Sequence, residues 1–297
     1  MYSPITGKEA KVIESFPIDT IIQGYNEKYK IDVSSYFNGM KVLPLYECSD
    51  SKLRFFYPDK LAGNSAFYTS LENNDFYYRT WKWEYEEAFK IVPQNCKVLD
   101  IGCGWGAFLE RLKKEKQCKV FGLEFSTSAY KELERKEIPC SMETIEQHSD
   151  QHEEVYDVVT FFQVLEHVSS VRSFLESAVK CLKKDGLLII AVPNNDPYIF
   201  GIHKFEWLNF PPHHMGWWNH ESLNNIQNFF PVNTESIKVS PFRDYNQYLD
   251  ALELDVSIAQ PNKLLFTKIS RPFRKQWIQI FRDKIPGFAI LGVYRKK

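Results

Sequence analysis

Glycines at alternate positions after an apolar run, two acids one strand apart and a pair of adjacent histidines have the types and spacing for chemistry in this chain. The run Val98-Leu99-Asp100-Ile101-Gly102-Cys103-Gly104-Trp105-Gly106 reads as a buried strand passing into a turn that opens a helix. Glycine takes positive φ at little cost and lets a ligand approach the backbone, while a helix N-terminus favours negative charge. A carboxylate or phosphate is therefore expected at Gly102 and Gly104. The spacing Gly102-x-Gly104-x-x-Ala107 also fits a dinucleotide fingerprint, so the glycines alone leave two ligands open. Asp100 places an acid where dinucleotide folds carry an apolar residue, and it can attract an ammonium group. A zwitterionic amino-acid tail satisfies both ends. Glu124, with Phe125 beside it, lies about 20 residues further on, where an acid can accept hydrogen bonds from both ribose hydroxyls.

The histidines His213 and His214 stand in Phe210-Pro211-Pro212-His213-His214-Met215-Gly216-Trp217-Trp218, after the last parallel strand. Ligand-contacting residues gather at the carboxyl ends of such strands, and a neutral imidazole can accept a proton near pH 7. Both are candidate general bases. The simpler alternative is that one of them only hydrogen-bonds loop backbone, because neighbours in an extended loop point opposite ways.

The elements that must position these groups alternate along the chain. Strands are expected at 97–101, 119–124, 139–142, 156–162 and 186–192, with helices at 107–115, 128–136 and 171–182, which gives a parallel sheet with helices on both faces. The apolar runs 155–162 and 187–192 lack two-residue alternation, as central strands do. A helix over 76–92, ending at Pro93, carries Tyr77, Tyr78 and Trp83, which can close over a ligand or pack as core. Further on come a helix at 221–230, a strand at 235–239 and an edge strand at 288–294.

The segment Phe162-Gln163-Val164-Leu165-Glu166-His167-Val168, together with the glycine run, resembles class I S-adenosylmethionine-dependent methyltransferases of the ubiquinone-biosynthesis-like, small-molecule branch, over residues 76–240. The resemblance implies an α/β fold: a doubly wound, Rossmann-like, seven-stranded mixed sheet with the last strand antiparallel. It implies S-adenosyl-L-methionine as cofactor. Gly102 and Gly104 would line the methionine moiety, Glu124 would hold the ribose, and the Gln163 carbonyl would meet the methionine amino group. Thr144 or Ile145 would lie against the adenine, and Tyr78 in the lid. Glu166 and His167 would take a structural, cofactor-side position. The same branch has a Pro-Pro-His-His element before a Ser-Leu helix start, here Ser222-Leu223.

Residues 1–70 read as a small β-rich appendage, and 71–297 as the methyltransferase domain with an insertion at about 241–287 before the last strand. The N-terminus resembles the zinc ribbon of many relatives, but three of four thiolate positions are Ser3, Thr6 and Ser51, with only Cys48 kept. Hydroxyls are poor zinc ligands, so no metal is expected. The charges nearly cancel, 37 basic against 38 acidic, which disfavours nucleic acid as a partner. The six cysteines form no C-x-x-C pair and no leader or long apolar run is seen, which fits a reducing cytoplasm. Residues 271–285 place Phe273, Trp277 and Ile280 on one helical face among basic residues, the pattern of a helix in weak contact with a membrane surface or, more simply, one packed on its own sheet. The activity expected is methyl transfer to a small-molecule acceptor, a sugar or sugar-linked intermediate of surface-polysaccharide or natural-product synthesis. An NAD(P)-dependent oxidoreductase on the same loop and a non-catalytic binder are the alternatives.

Overall fold

The computed structural model describes residues 1–72, 81–196, 206–242, 261–281 and 286–297. At the N-terminus, β1 (Ala10–Pro17), β2 (Val42–Cys48) and β3 (Arg54–Phe56) pair antiparallel. Between β1 and β2 runs a helix absent from the sequence expectation, α1 (Ile18–Tyr29), which buries Ile18, Ile21, Tyr25 and Tyr29. Those residues recur at helical spacing, a signal outweighed by the surrounding turn formers. A second helix, α2 (Ser65–Glu72), follows β3.

The main sheet is built from α3 (Trp83–Ile91), β4 (Lys97–Ile101), α4 (Ala107–Lys116), β5 (Lys119–Leu123), α5 (Thr127–Arg135), β6 (Cys140–Ser141), α6 (Ile145–Ser149), β7 (Tyr156–Phe162), α7 (Val171–Cys181) and β8 (Leu182–Pro193). Then come a two-residue strand β9 (Gly216–Trp217), α8 (His220–Asn224), β10 (Val232–Pro241), helices Leu264–Ile269 and Arg271–Phe281, and β11 (Pro286–Lys296). The order of the seven strands is β10-β11-β8-β7-β4-β5-β6. The pairs β4–β5, β4–β7, β5–β6 and β7–β8 are parallel, and β11 runs antiparallel to β8 and β10. The doubly wound mixed sheet and its antiparallel last strand are as expected from the sequence. The edge position is not: β11 lies between β8 and β10, and its Ile290, Leu291, Val293 and Tyr294 are buried. Last in the chain is not outermost in the sheet, and an unalternating apolar run is the mark of a strand covered on both faces.

One face of the sheet packs Leu99, Ile101, Phe161 and Ile190 against Phe174 and Leu175 of α7, with Ile5, Leu53 and Phe55 from the N-terminal sheet in the same cluster. The other packs Val98, Val158, Phe162 and Ile189 against Phe108, Leu109 and Leu112 of α4. A third cluster joins Phe16, Ile21, Tyr25 and Phe56 to Trp207, Phe210, Met215 and Trp217. Strand β9, which directly follows the segment carrying the histidines, pairs with β3 and is the fourth strand of the N-terminal sheet.

Candidate functional site

The glycine turn sits at the carboxyl end of β4. Gly102, Gly104 and Gly106 all have positive φ (69°, 54° and 71°). At Gly102 a Cβ would also lie 2.6 Å from Val164 Cγ2, so both the angle and the space demand glycine. Gly102 and Cys103 donate their N–H groups to Leu123 O at 2.7 and 3.1 Å. Gly104 N donates to Glu124 Oε2 at 2.7 Å, and Ser126 N to Glu124 Oε1 at 2.8 Å. The sequence places a ligand carboxylate on these amides, whereas the carboxylate that meets Gly104 is that of Glu124 itself.

Asp100 is 1 % exposed and accepts a hydrogen bond from the Thr160 hydroxyl at 2.7 Å. Burial pushes its carboxyl up to about 7, against the pull of Thr160, and the charge of Glu124 adds to the rise. An acid held near neutrality beside a glycine turn gains its charge when a cation arrives. Lys82, the cap residue of α3, is close enough for its charge to act on Asp100, Glu166 and His167.

Gln163, just past β7, has φ 58°, a left-handed conformation uncommon for residues other than glycine and found where surroundings over-determine the backbone. Its N–H donates to Ala191 O at 2.8 Å, and its amide to the buried Glu84 at 3.3 Å. Glu84 and Lys82 were not legible as site residues, since nothing in a helix start tells which charged side chain turns inward.

His213 and His214 do not point apart. Both N–H groups donate to Phe210 O, at 3.1 and 3.2 Å, so the backbone is a tight turn and not the extended loop assumed from the sequence. The two rings stack at 4.5 Å and 20°, and His167 meets them at 4.5 and 5.0 Å. Each Nδ1 faces an oxygen: His167 to His213 O at 2.6 Å, His213 to Leu208 O at 3.0 Å, and His214 to Asn209 Oδ1 at 3.0 Å. Burial holds His213 and His214 well below the usual imidazole range and lowers His167 to about 4. Such groups are neutral at pH 7, strong as lone-pair ligands and poor as proton acceptors, which weakens the reading of the pair as general bases. Phe67 and Tyr68 of α2 border the cluster at 5.8 to 6.1 Å.

Of the remaining expected residues, Phe125 is 63 % exposed beside Glu124. Thr144 caps α6 through a capping box with Gln147, and Ile145 is buried in the core against the sheet. The exposed apolar side chain of that turn is Met142. Tyr77 and Tyr78 lie outside the described residues, while Trp83 packs on the core.

Ser3, Thr6 and Ser51 come together around Cys48: Thr6 Oγ1 is 3.4 Å from Cys48 Sγ, and Ser51 N donates to it at 3.5 Å. Burial opposes ionisation of the thiol, but hydrogen bonds from Ser3, Ser51 and Thr6 bring it down to about 7. A cleft of about 480 Å³ opens between Phe55 and Tyr57 on one side and Ser169 to Ser173 on the other. Its wall includes Val168 and Met215, neighbours in the chain of His167 and His214, and none of the glycine-turn residues. No described helix is long and apolar enough to cross a membrane.

Comparisons agree with this geometry. A family model described as a methyltransferase domain matches residues 70–230, more than half of the chain. A ubiquinone biosynthesis O-methyltransferase of Aliivibrio fischeri is 34 % identical over 120 residues, which cover 38 % of this chain and 51 % of that protein. The enzyme of the same name from Pectobacterium atrosepticum is 31 % identical over 106 residues, 34 % of this chain and 44 % of its own. The chain thus spans about half the length of the curated relatives it matches. Among solved structures, a SAM-dependent methyltransferase from Archaeoglobus fulgidus superposes with a TM-score of 0.52 at 18 % identity, covering 77 % of this chain and all of that one, which is a likeness of fold.

Proposed function

We propose that this chain, which belongs to the methyltransferase-domain family, moves the methyl group of S-adenosylmethionine to an oxygen of a small-molecule acceptor. The observation that carries the reading is the pair of carboxylates at neighbouring strand ends. Asp100 is a buried acid near its titration point, suited to the methionine ammonium. Glu124 is held by the Gly104 and Ser126 amides at the end of the next strand, the position from which a carboxylate reaches both ribose hydroxyls. Gly102 and Gly104 let the methionine part approach, the Gln163 carbonyl adds a second acceptor for the ammonium, and Phe125 is exposed for stacking on the adenine. The zwitterionic tail separates this reading from a dinucleotide, which has no ammonium for Asp100.

Methyl transfer from a sulfonium is an in-line displacement: the acceptor oxygen forms a bond to carbon as the carbon–sulfur bond breaks, the pair of that bond stays on sulfur, and the hydroxyl proton is released to solvent. The protein aligns the two atoms and excludes water. The relatives' name, O-methyltransferase, favours oxygen as the methylated atom. A sugar hydroxyl, the expectation from the sequence, and a ring hydroxyl are the two acceptor classes to be compared. Incubation with methyl-labelled S-adenosylmethionine and a panel of sugar-linked and phenolic acceptors, read by mass spectrometry, tests the proposal. One added methyl on a hydroxyl supports it; cofactor binding with no transfer to any hydroxyl overturns it.

A lipid surface is favoured as the place where that acceptor is met. On the helices Leu264–Ile269 and Arg271–Phe281, Leu265, Phe266, Ile269, Phe273 and Ile280 are 66 to 74 % exposed. Packing on the protein's own sheet would cover them. The stretch 261–281 has five basic residues (Lys263, Lys268, Arg271, Arg274, Lys275) and no acid. Apolar area ringed by cations matches an anionic bilayer interface.

A further inference from the structure

We infer that His167, His213 and His214, with Glu166, form a site for one divalent transition-metal ion on the acceptor side of the proposed reaction. The three histidines bring one ring nitrogen each to within 4.8 Å of the others. Their tautomers are set for ligation. Every Nδ1 faces a carbonyl or amide oxygen, which only an N–H can satisfy, so at His213 and His214 the proton sits on Nδ1 and the lone pair on Nε2, while the ring of His167 has the Gln163 carbonyl as a second backbone acceptor. An outer N–H held by a carbonyl while the other nitrogen presents its lone pair is the arrangement of ligating histidines.

Glu166 is an independent pointer. It is 1 % exposed, its Oε2 has no hydrogen-bond partner among the described residues, and its Oε1 lies 3.9 Å from His167 Nε2. A buried, unsatisfied carboxylate is costly unless it meets a cation. Donors on a tetrahedral ion at 2.0–2.1 Å sit roughly 3.4 Å apart, so ring movements on the order of 1 Å bring the three imidazoles onto one ion, with Glu166 beside His167 as the neighbouring carboxylate. Imidazole and carboxylate together suit zinc, iron or manganese better than magnesium. The ion would lower the pKa of a bound acceptor hydroxyl, so that its proton passes to solvent and no protein base is required. The expectation of no metal rested on residues 1–60, and the ligands escaped notice because 46 positions separate His167 from His213.

The functional role rests on the methyltransferase reading, but the metal site itself is tested without cofactor or turnover. The full-length protein is stripped with chelator and titrated with zinc chloride by calorimetry and with cobalt(II) by visible absorption. The expected result is one equivalent bound, with cobalt d–d bands and no thiolate charge-transfer band. His214→Ala should weaken zinc at least about 100-fold, and Asn209→Ala, which removes the oxygen behind His214 along with the amide that donates to Asn195, about 10- to 100-fold. Zinc binding to Cys48→Ser should be unchanged, which covers the case in which a histidine variant fails to fold. No stoichiometric metal, a thiolate band, or unaltered affinity in folded His214→Ala and Asn209→Ala overturns the site. Adenosylhomocysteine binding to the stripped protein reports separately on the methyltransferase reading.

Discussion

Replacing Glu124 by Gln probes the cofactor site with the least steric change. In the wild type both carboxylate oxygens accept from backbone amides, Gly104 N at 2.7 Å and Ser126 N at 2.8 Å. Glutamine offers one accepting oxygen and one NH2 group, so one amide must face a donor. Two charge-assisted hydrogen bonds to the ribose hydroxyls are also weakened. At about 1.5 kcal/mol each, the loss comes to about 3 kcal/mol, or roughly 100-fold in Kd. Calorimetry with adenosylhomocysteine on wild type and Glu124→Gln reads this directly, with circular dichroism to confirm folding. An affinity within about threefold of wild type in a folded variant refutes the assignment of the ribose to Glu124.

Three further outcomes follow from the same geometry. Asp100 holds its proton up to about 7 in the fold, against about 3.9 unfolded, so between those values the native state binds more protons and stability falls as pH rises. The sum is on the order of 4 kcal/mol at 1.4 kcal/mol per pH unit, and Asp100→Asn should flatten the difference in denaturant midpoint between acid and neutral pH; an unchanged slope contradicts it. Gly102→Ala should cost at least roughly 1–2 kcal/mol for the left-handed backbone, more for the contact with Val164, and should abolish adenosylhomocysteine binding; wild-type melting and affinity would rule out the close-approach role. Trp277→Glu should reduce co-sedimentation with anionic vesicles severalfold and leave soluble-cofactor binding intact, whereas equal sedimentation of both proteins removes the case for a lipid surface.

The glycine turn, Asp100 and Glu124 are legible in the sequence because a local pattern defines them: a strand, a turn that only glycine can make, and an acid at the end of the next strand. The central strands β7 and β8 announce themselves as unalternating apolar runs. What the sequence conceals is long-range. The placement of β11 inside the sheet depends on partners more than 90 residues away, such as Val192 opposite Ile290. The union of His167 with His213 and His214 depends on a turn at Phe210 that the double proline does not reveal, and on β9 joining the N-terminal sheet. Thr144 and Ile145, placed by resemblance beside the adenine, also form a helix cap and a core contact, and these are defined by α6, a five-residue helix too short for periodicity to show.

The central claim is that Asp100 and the glycine turn select an amino-acid tail over a pyrophosphate. Calorimetry of the wild-type protein with adenosylhomocysteine and, in parallel, with NADH tests it most directly. Saturable binding of adenosylhomocysteine, lost in Asp100→Ala, with no measurable heat from NADH is the result expected. Binding of NADH alone would contradict it.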